Sequence, residues 1–179
     1  MMSRTMAEAQ LPKRVDAVKL VKVNQRLKAE IDQNNLTRLN EAVIRCLEPI
    51  SCEVEFLQGA EKQRLMRGSC HTNVVMICQR CLGEVTFPVS GEFNIGLVFN
   101  DEQASQLPRY LEPVELDEKG QMDLWSVMED EVLLALPMFP MHAENECKTK
   151  IAVSESEAET TNSSDERPNP FAALAKLKQ

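Results

Sequence analysis

His71-Thr72-Asn73-Val74-Val75-Met76-Ile77-Cys78-Gln79-Arg80-Cys81-Leu82-Gly83-Glu84-Val85-Thr86-Phe87 is two β-prone stretches joined by a short turn built on paired thiols. β-branched and aromatic residues on both flanks predict strands, and Cys78 to Gly83 predicts the turn between them. The first strand extends back to Leu65 and the second runs from Glu84 to Asn100. On the second, Val85, Phe87 and Val89 form one alternating set. Phe93, Ile95, Leu97 and Phe99 form another, and Gly91 between them predicts a bulge or bend. Upstream, Cys52, Val54 and Phe56 alternate with Glu53, Glu55 and Leu57, which predicts a half-buried strand. Gln58-Gly59-Ala60-Glu61 is the turn that leads out of it. These strands predict an antiparallel meander.

Helices flank this sheet. Asp16 caps a short basic helix that puts Lys19, Lys22 and Arg26 on one face beside Ala17, Leu20 and Val21. A strand over 27–31 follows, and then a helix over 36–44 with Asn34 or Asn35 as its cap. Asp101 to Leu107 reads as a helical turn, and 109–119 as an extended acidic segment interrupted by Pro113. Asp123 caps a helix that runs to about Leu136 and stops at Pro137 and Pro140. Its apolar stripe is read as Leu124, Val127, Met128, Glu131 and Leu134-Ala135. The fold class is α+β: a small antiparallel β-meander or partial barrel with flanking helices and a disordered acidic linker near the C-terminus. Residues 1–11 are a flexible lead-in, 12–147 a single domain, 148–167 the linker and 168–179 a terminal peptide.

Aromatics make up only 4% of the chain, so aliphatic side chains must build the core. No apolar run approaches the roughly 20 residues a membrane span needs. Met1 to Gln10 is polar, without the apolar core of a secretory leader, and the expected location is cytoplasmic. In a reducing compartment the six cysteines are free thiols or metal ligands rather than disulfides. The net charge of -8 is unevenly spread. Residues 1–100 hold 13 basic against 11 acidic side chains, whereas 101–166 hold 4 against 17. Phosphate contacts need local positive charge, so RNA contact belongs to the N-terminal part or the tail. The acidic part is suited to a basic partner.

Four sets of residues carry candidate chemistry. Cys78 and Cys81 begin a zinc knuckle, and His142 and Cys147, separated by four residues, complete a Cys₃His set. The bland alternative is that these cysteines are merely small residues in a turn. A redox dithiol lacks the βαβ surroundings that such a motif needs. Lys13, Arg14, Lys19, Lys22, Arg26 and Lys28, with Arg80 facing solvent from the thiol turn, form the candidate RNA-binding set. With no aromatic among them, contact there is electrostatic and salt-sensitive rather than stacking. Glu129, Asp130 and Glu131 are a candidate surface for a basic partner, since consecutive residues about 100° apart cannot share a catalytic face. Pro168-Asn169-Pro170-Phe171-Ala172-Ala173-Leu174 reads as a tethered partner-binding peptide through Phe171 and Leu174, or as one that folds back onto its own domain.

Cys78-Gln79-Arg80-Cys81, the run from Glu129 to Pro137 and the peptide from Pro168 to Leu174, in this order, resemble the bacterial YceD family of large ribosomal RNA subunit accumulation proteins. The resemblance implies a non-catalytic factor that supports synthesis, processing or stability of the 23S ribosomal RNA. It implies ribosomal RNA or pre-large-subunit particles as partners. Some relatives carry further cysteines after the proline-ended helix, where this chain has His142 and Cys147. Two other readings stay open beside it. One is a protein-only adaptor or chaperone for a basic ribosomal protein. The other is a thiol or metal enzyme built on Cys78 and Cys81.

Overall fold

Asp16, Asn100 and Asp123 each stand immediately before a helix, and each accepts a hydrogen bond from a backbone N–H of its first turn. The donors are Lys19 at 2.9 Å, Gln103 at 2.9 Å and Ser126 at 3.1 Å. These side chains satisfy N–H groups that a helix start otherwise leaves without a partner. The computed structural model describes residues 10–147. The linker over 148–167 and the terminal peptide with Phe171 and Leu174 lie outside the described residues.

In chain order the described elements are β1 (Arg14–Asp16), α1 (Ala17–Lys22), β2 (Arg26–Ile31), α2 (Thr37–Ala42), β3 (Arg45–Cys46), β4 (Ile50–Gln58) and β5 (Arg64–Ile77). Then come β6 (Glu84–Val98), α3 (Asp101–Ser105), β7 (Glu112–Glu115), β8 (Gln121–Asp123) and α4 (Leu124–Leu134). A single 3₁₀ turn, Gln33–Asn35, precedes α2. The main sheet has six strands in the order β2-β4-β5-β6-β7, with β3 paired to β5, and β1 and β8 form a second, two-stranded sheet. No described helix is long and apolar enough to cross a membrane.

The meander β4-β5-β6 is antiparallel as expected, but the whole sheet is mixed and open rather than a barrel. β7 joins β6 in parallel, pairing Ile95 with Glu112 and Val98 with Glu115. A parallel neighbour needs a crossover of about a dozen residues, and the segment between Val98 and Glu112, carrying α3, supplies it. Leu107 from that crossover lies over Gly96, where a Cβ would come within 2.4 Å of it. Pro113 is tolerated because β7 is an edge strand.

The expected bulge at Gly91 is absent. β5 pairs with β6 without interruption from Arg64↔Leu97 to Ile77↔Glu84. Val85, Phe87, Val89, Phe93, Ile95 and Leu97 share one parity, so they belong to one face, and Gly91 belongs to it too. Its role is close approach. A Cβ there would meet the Glu131 carbonyl oxygen at 3.2 Å and the Ala135 Cβ at 3.5 Å, so α4 crosses the sheet at this position.

The core lies between that face and the helices. Ile50, Cys52, Val54 and Phe56 of β4 meet Met66, Cys70 and Val74 of β5 and the odd positions of β6. Leu124, Met128 and Val132 of α4 pack onto them at four-residue spacing, with Ala17, Val21 and Leu39 from the first two helices. The α4 stripe differs from the expected one: Leu134 is exposed, and the buried carboxylate is Glu129 rather than Glu131. Two other local expectations are corrected. α1 ends at Lys22, and Asn24 turns the chain with φ 48°, so Arg26 leaves the helix and opens β2. α2 is preceded by Leu36, which has no side-chain acceptor, and Asp32 caps the 3₁₀ turn instead of Asn34 or Asn35 capping the helix.

Glu129 supplies the missing cap from another helix. Its Oε1 accepts from the Leu39 backbone N–H at 3.0 Å, and its Oε2 accepts from Arg38 Nε at 2.9 Å. Arg38 also donates to Asp130 and to the Ser126 carbonyl. Removing a buried acceptor strands its donors, which costs about 2–3 kcal/mol, whereas an exposed ion pair contributes under about 1 kcal/mol. Glu129→Ala is expected to lose the larger amount in urea denaturation and Asp130→Ala the smaller. A larger loss for Asp130→Ala than for Glu129→Ala would place the latch at Asp130.

Candidate metal centre

The β5–β6 connection is a closed turn. Cys78 N–H donates to the Gly83 carbonyl at 2.8 Å, and Leu82 N–H donates to the Cys78 carbonyl at 2.9 Å. Leu82 adopts φ 57°, the left-handed conformation that a side chain disfavours. The turn therefore brings Cys78 and Cys81 to one side at the cost of a strained residue. Cys78 is fully buried and packs with Cys147 and Val85 in a small apolar cluster of its own, with Cys81 and Phe87 against it.

The irregular segment after α4 is drawn onto this turn by three hydrogen bonds. Gln79 N–H donates to the Pro140 carbonyl at 2.8 Å. Arg80 Nη2 donates to the His142 carbonyl at 3.0 Å and the Ala143 carbonyl at 3.3 Å. Arg80 therefore does not face solvent as expected. It is half-buried, and its guanidinium holds the second half of the centre against the first.

The result is a four-donor cluster. The ligand atoms of Cys78, Cys81, His142 and Cys147 all lie within 4.8 Å of one another, and Cys81 Sγ is 3.4 Å from His142 Nδ1. Tetrahedral zinc with Zn–S near 2.3 Å sets its donors about 3.7 Å apart, so a small contraction suffices. His142 Nε2 lies 2.9 Å from the Glu84 carbonyl oxygen, an acceptor, so Nε2 donates and Nδ1 is the nitrogen turned to the sulfurs. Metal-bound histidines are held in this way by a backbone carbonyl behind the ring.

The electrostatics favour a cation. Burial pushes the Cys78 thiol up, but hydrogen bonds from the backbone of Cys81, His142 and Arg80 outweigh it and bring the pKa to about 5. The Gly83 backbone favours the Cys81 thiolate, yet burial and the neighbouring thiols of Cys147 and Cys78 leave that group raised. The hydrogen bond to Cys78 raises His142. Three sulfur donors crowded together repel as thiolates unless positive charge sits among them. The cluster has the composition, spacing and charge to hold a metal ion such as zinc.

The candidate RNA-binding residues do not form one surface. Arg14 is paired with Asp117 at 2.8 Å, and Arg26 with Glu53. Lys13 lies over the Trp125 ring at 5.7 Å. Lys28 is exposed on β2. Lys19 and Lys22 remain exposed on α1. Lys119, which the sequence did not single out, joins them round one hollow. Of the acidic trio, Glu129 is buried in the latch, Asp130 is on Arg38, and Glu131 is half-buried. Burial, Glu112 and Asp130 raise the Glu131 carboxyl. Glu131 lines a second hollow with Glu92, Glu112 and Tyr110, residues that no local motif had marked.

Two comparisons bear on these sites. The family described as "Large ribosomal RNA subunit accumulation protein YceD" matches residues 66–178. A Haemophilus influenzae protein named large ribosomal RNA subunit accumulation protein YceD is 34% identical over 174 residues, covering 97% of this chain and 99% of that protein. No solved structure matches the chain.

Protein purified under reducing conditions with zinc is expected to carry one zinc per chain by elemental analysis. Cys78→Ser with Cys81→Ser should carry none, and chelation should lower the thermal midpoint of the wild type alone. A wild-type chain that stays metal-free would overturn the metal assignment.

Proposed function

The chain belongs to the YceD family of large ribosomal RNA subunit accumulation proteins, and from that premise we propose that it is a non-catalytic factor supporting accumulation of the 23S ribosomal RNA. Its role is in the synthesis, processing or stability of that RNA, and its partner is ribosomal RNA or a pre-large-subunit particle. The observation that carries this reading is the near end-to-end similarity to a relative named for that process. The metal centre supports it. Four protein donors are the number that a closed structural site takes, whereas catalytic zinc keeps a position open. In this reading the metal ties the segment after α4 to the end of the β5–β6 hairpin, and contact with RNA is electrostatic.

A second reading has its own observation. The hollow of about 360 Å³ lined by Glu92, Glu112 and Glu131 with Tyr110 is suited to a cationic side chain. That favours an adaptor or chaperone for a basic ribosomal protein, which would act without touching RNA.

Depleting the protein is expected to lower 23S ribosomal RNA well below 16S ribosomal RNA, with recovery on re-expression. In gel-shift titrations the purified protein should bind large-subunit RNA fragments at low salt and release them as salt rises. Loss of 23S RNA without any RNA binding at low salt would transfer the role to the acidic hollow. Unchanged 23S levels on depletion would remove both readings.

A further inference from the structure

Of the seven cations in the RNA-binding set, few are available for a phosphate. Arg14 and Arg26 are neutralised by Asp117 and Glu53, Arg80 is turned onto backbone carbonyls, and Lys13 lies over Trp125. Lys28 is exposed on β2, whereas Lys19 and Lys22 are grouped on one helix. They sit one helical turn apart on α1 and line a hollow of about 390 Å³ with Asp16, Val18, Phe99, Glu118, Lys119 and Gly120. Lys119 is exposed and reaches this place from a turn about 100 residues further along the chain.

That turn is built to stay there. Asp117 Oδ1 accepts from the N–H groups of Lys119 at 2.9 Å and Gln121 at 2.8 Å, and Gly120 N–H donates to the Asp117 carbonyl at 2.8 Å. Gly120 has φ +75°, and a Cβ on it would come within 2.6 Å of Val18 Cγ2, so glycine lets the turn lie directly on α1. The Gly120 carbonyl accepts from Ala17 N–H at 3.0 Å and fixes that contact. Phe99 also lines it, with the Arg64 guanidinium 4.8 Å from its ring centroid. Of the two carboxylates on the rim, Asp16 is committed to the α1 cap, and Glu118 is exposed.

We infer that Lys19, Lys22 and Lys119 form a composite site for the backbone phosphates of RNA, assembled by the lock of Gly120 on Val18. This deepens the RNA reading of the proposed function and rests on it. Contact is with phosphate and carries no base specificity, because lysine is a point charge. Lys119 is the decisive member, since a linear basic segment would not include it.

The test measures binding of large-subunit RNA fragments by the full chain across a salt series. Lys19→Gln, Lys22→Gln and Lys119→Gln combined should lower the slope of log K against log salt by about two to three, and Lys119→Gln alone by about one. Lys62→Gln, Arg67→Gln and Arg109→Gln combined remove the same charge elsewhere and should leave the slope unchanged. Glu118→Gln should tighten binding. Circular dichroism of each variant checks that the fold is retained. A slope that falls equally in both triple variants, or in neither, overturns the site while leaving RNA binding in place. Wild-type protein that binds no fragment at low salt overturns the RNA reading itself, and the site with it.

Discussion

The uninterrupted register of β5 on β6 is the constraint on which the rest of the structure depends. From Arg64↔Leu97 to Ile77↔Glu84 every residue has a partner, so the two strands act as one rigid ribbon roughly 40 Å long. A slip of one residue would turn Val89, Phe93 and Ile95 out to solvent and Ser90, Glu92 and Asn94 into the core. At one end of this ribbon the turn places Cys78 and Cys81 for His142 and Cys147. At the other end, just beyond the last pair, Phe99 lines the lysine hollow. Midway, Gly91 opens the close approach that seats α4. The four-donor cluster and the basic hollow therefore lie at opposite ends of one hairpin, without direct contact between them.

The acidic composition of the chain is partly internal. Glu129 is buried and accepts from one backbone and one side-chain donor of α2, so the charge that looks like surface in the sequence is a fastener between helices. Glu53, Glu55, Glu84 and Asp117 each accept an arginine from another element. Such exposed pairs contribute little to stability, but they cancel fields locally. What is left unpaired determines where a charged partner can be held: lysines round one hollow, carboxylates with Tyr110 round another. A protein of net charge -8 can in this way present positive charge at one place while staying acidic elsewhere.

Arg80 shows how a residue changes meaning with its neighbours. Within Cys78-Gln79-Arg80-Cys81 nothing distinguishes it from a solvent-exposed turn cation. In the fold it bonds the carbonyls of His142 and Ala143, and a side-chain hydrogen bond with Cys147 raises its pKa. It therefore acts on the four-donor cluster without being one of the donors. Holding the irregular second half in place reduces the entropy lost when a metal binds, which is the part a backing residue plays around ligating side chains.

The sequence by itself determined what depends on neighbours within a few residues. The strand parity of Cys52, Val54 and Phe56, the Cys78–Gly83 turn and the caps at Asp16 and Asp123 are all local physics. The Cys₃His quartet was legible too, because thiol and imidazole types in that order specify a donor set before any geometry is known. Tertiary structure alone decided the parallel seat of β7, the burial of Glu129, the inward turn of Arg80 and the meeting of Lys119 with Lys19 and Lys22. Each of these depends on where the chain returns after dozens of residues. That is fixed by which apolar faces can be buried together, and no local period records it.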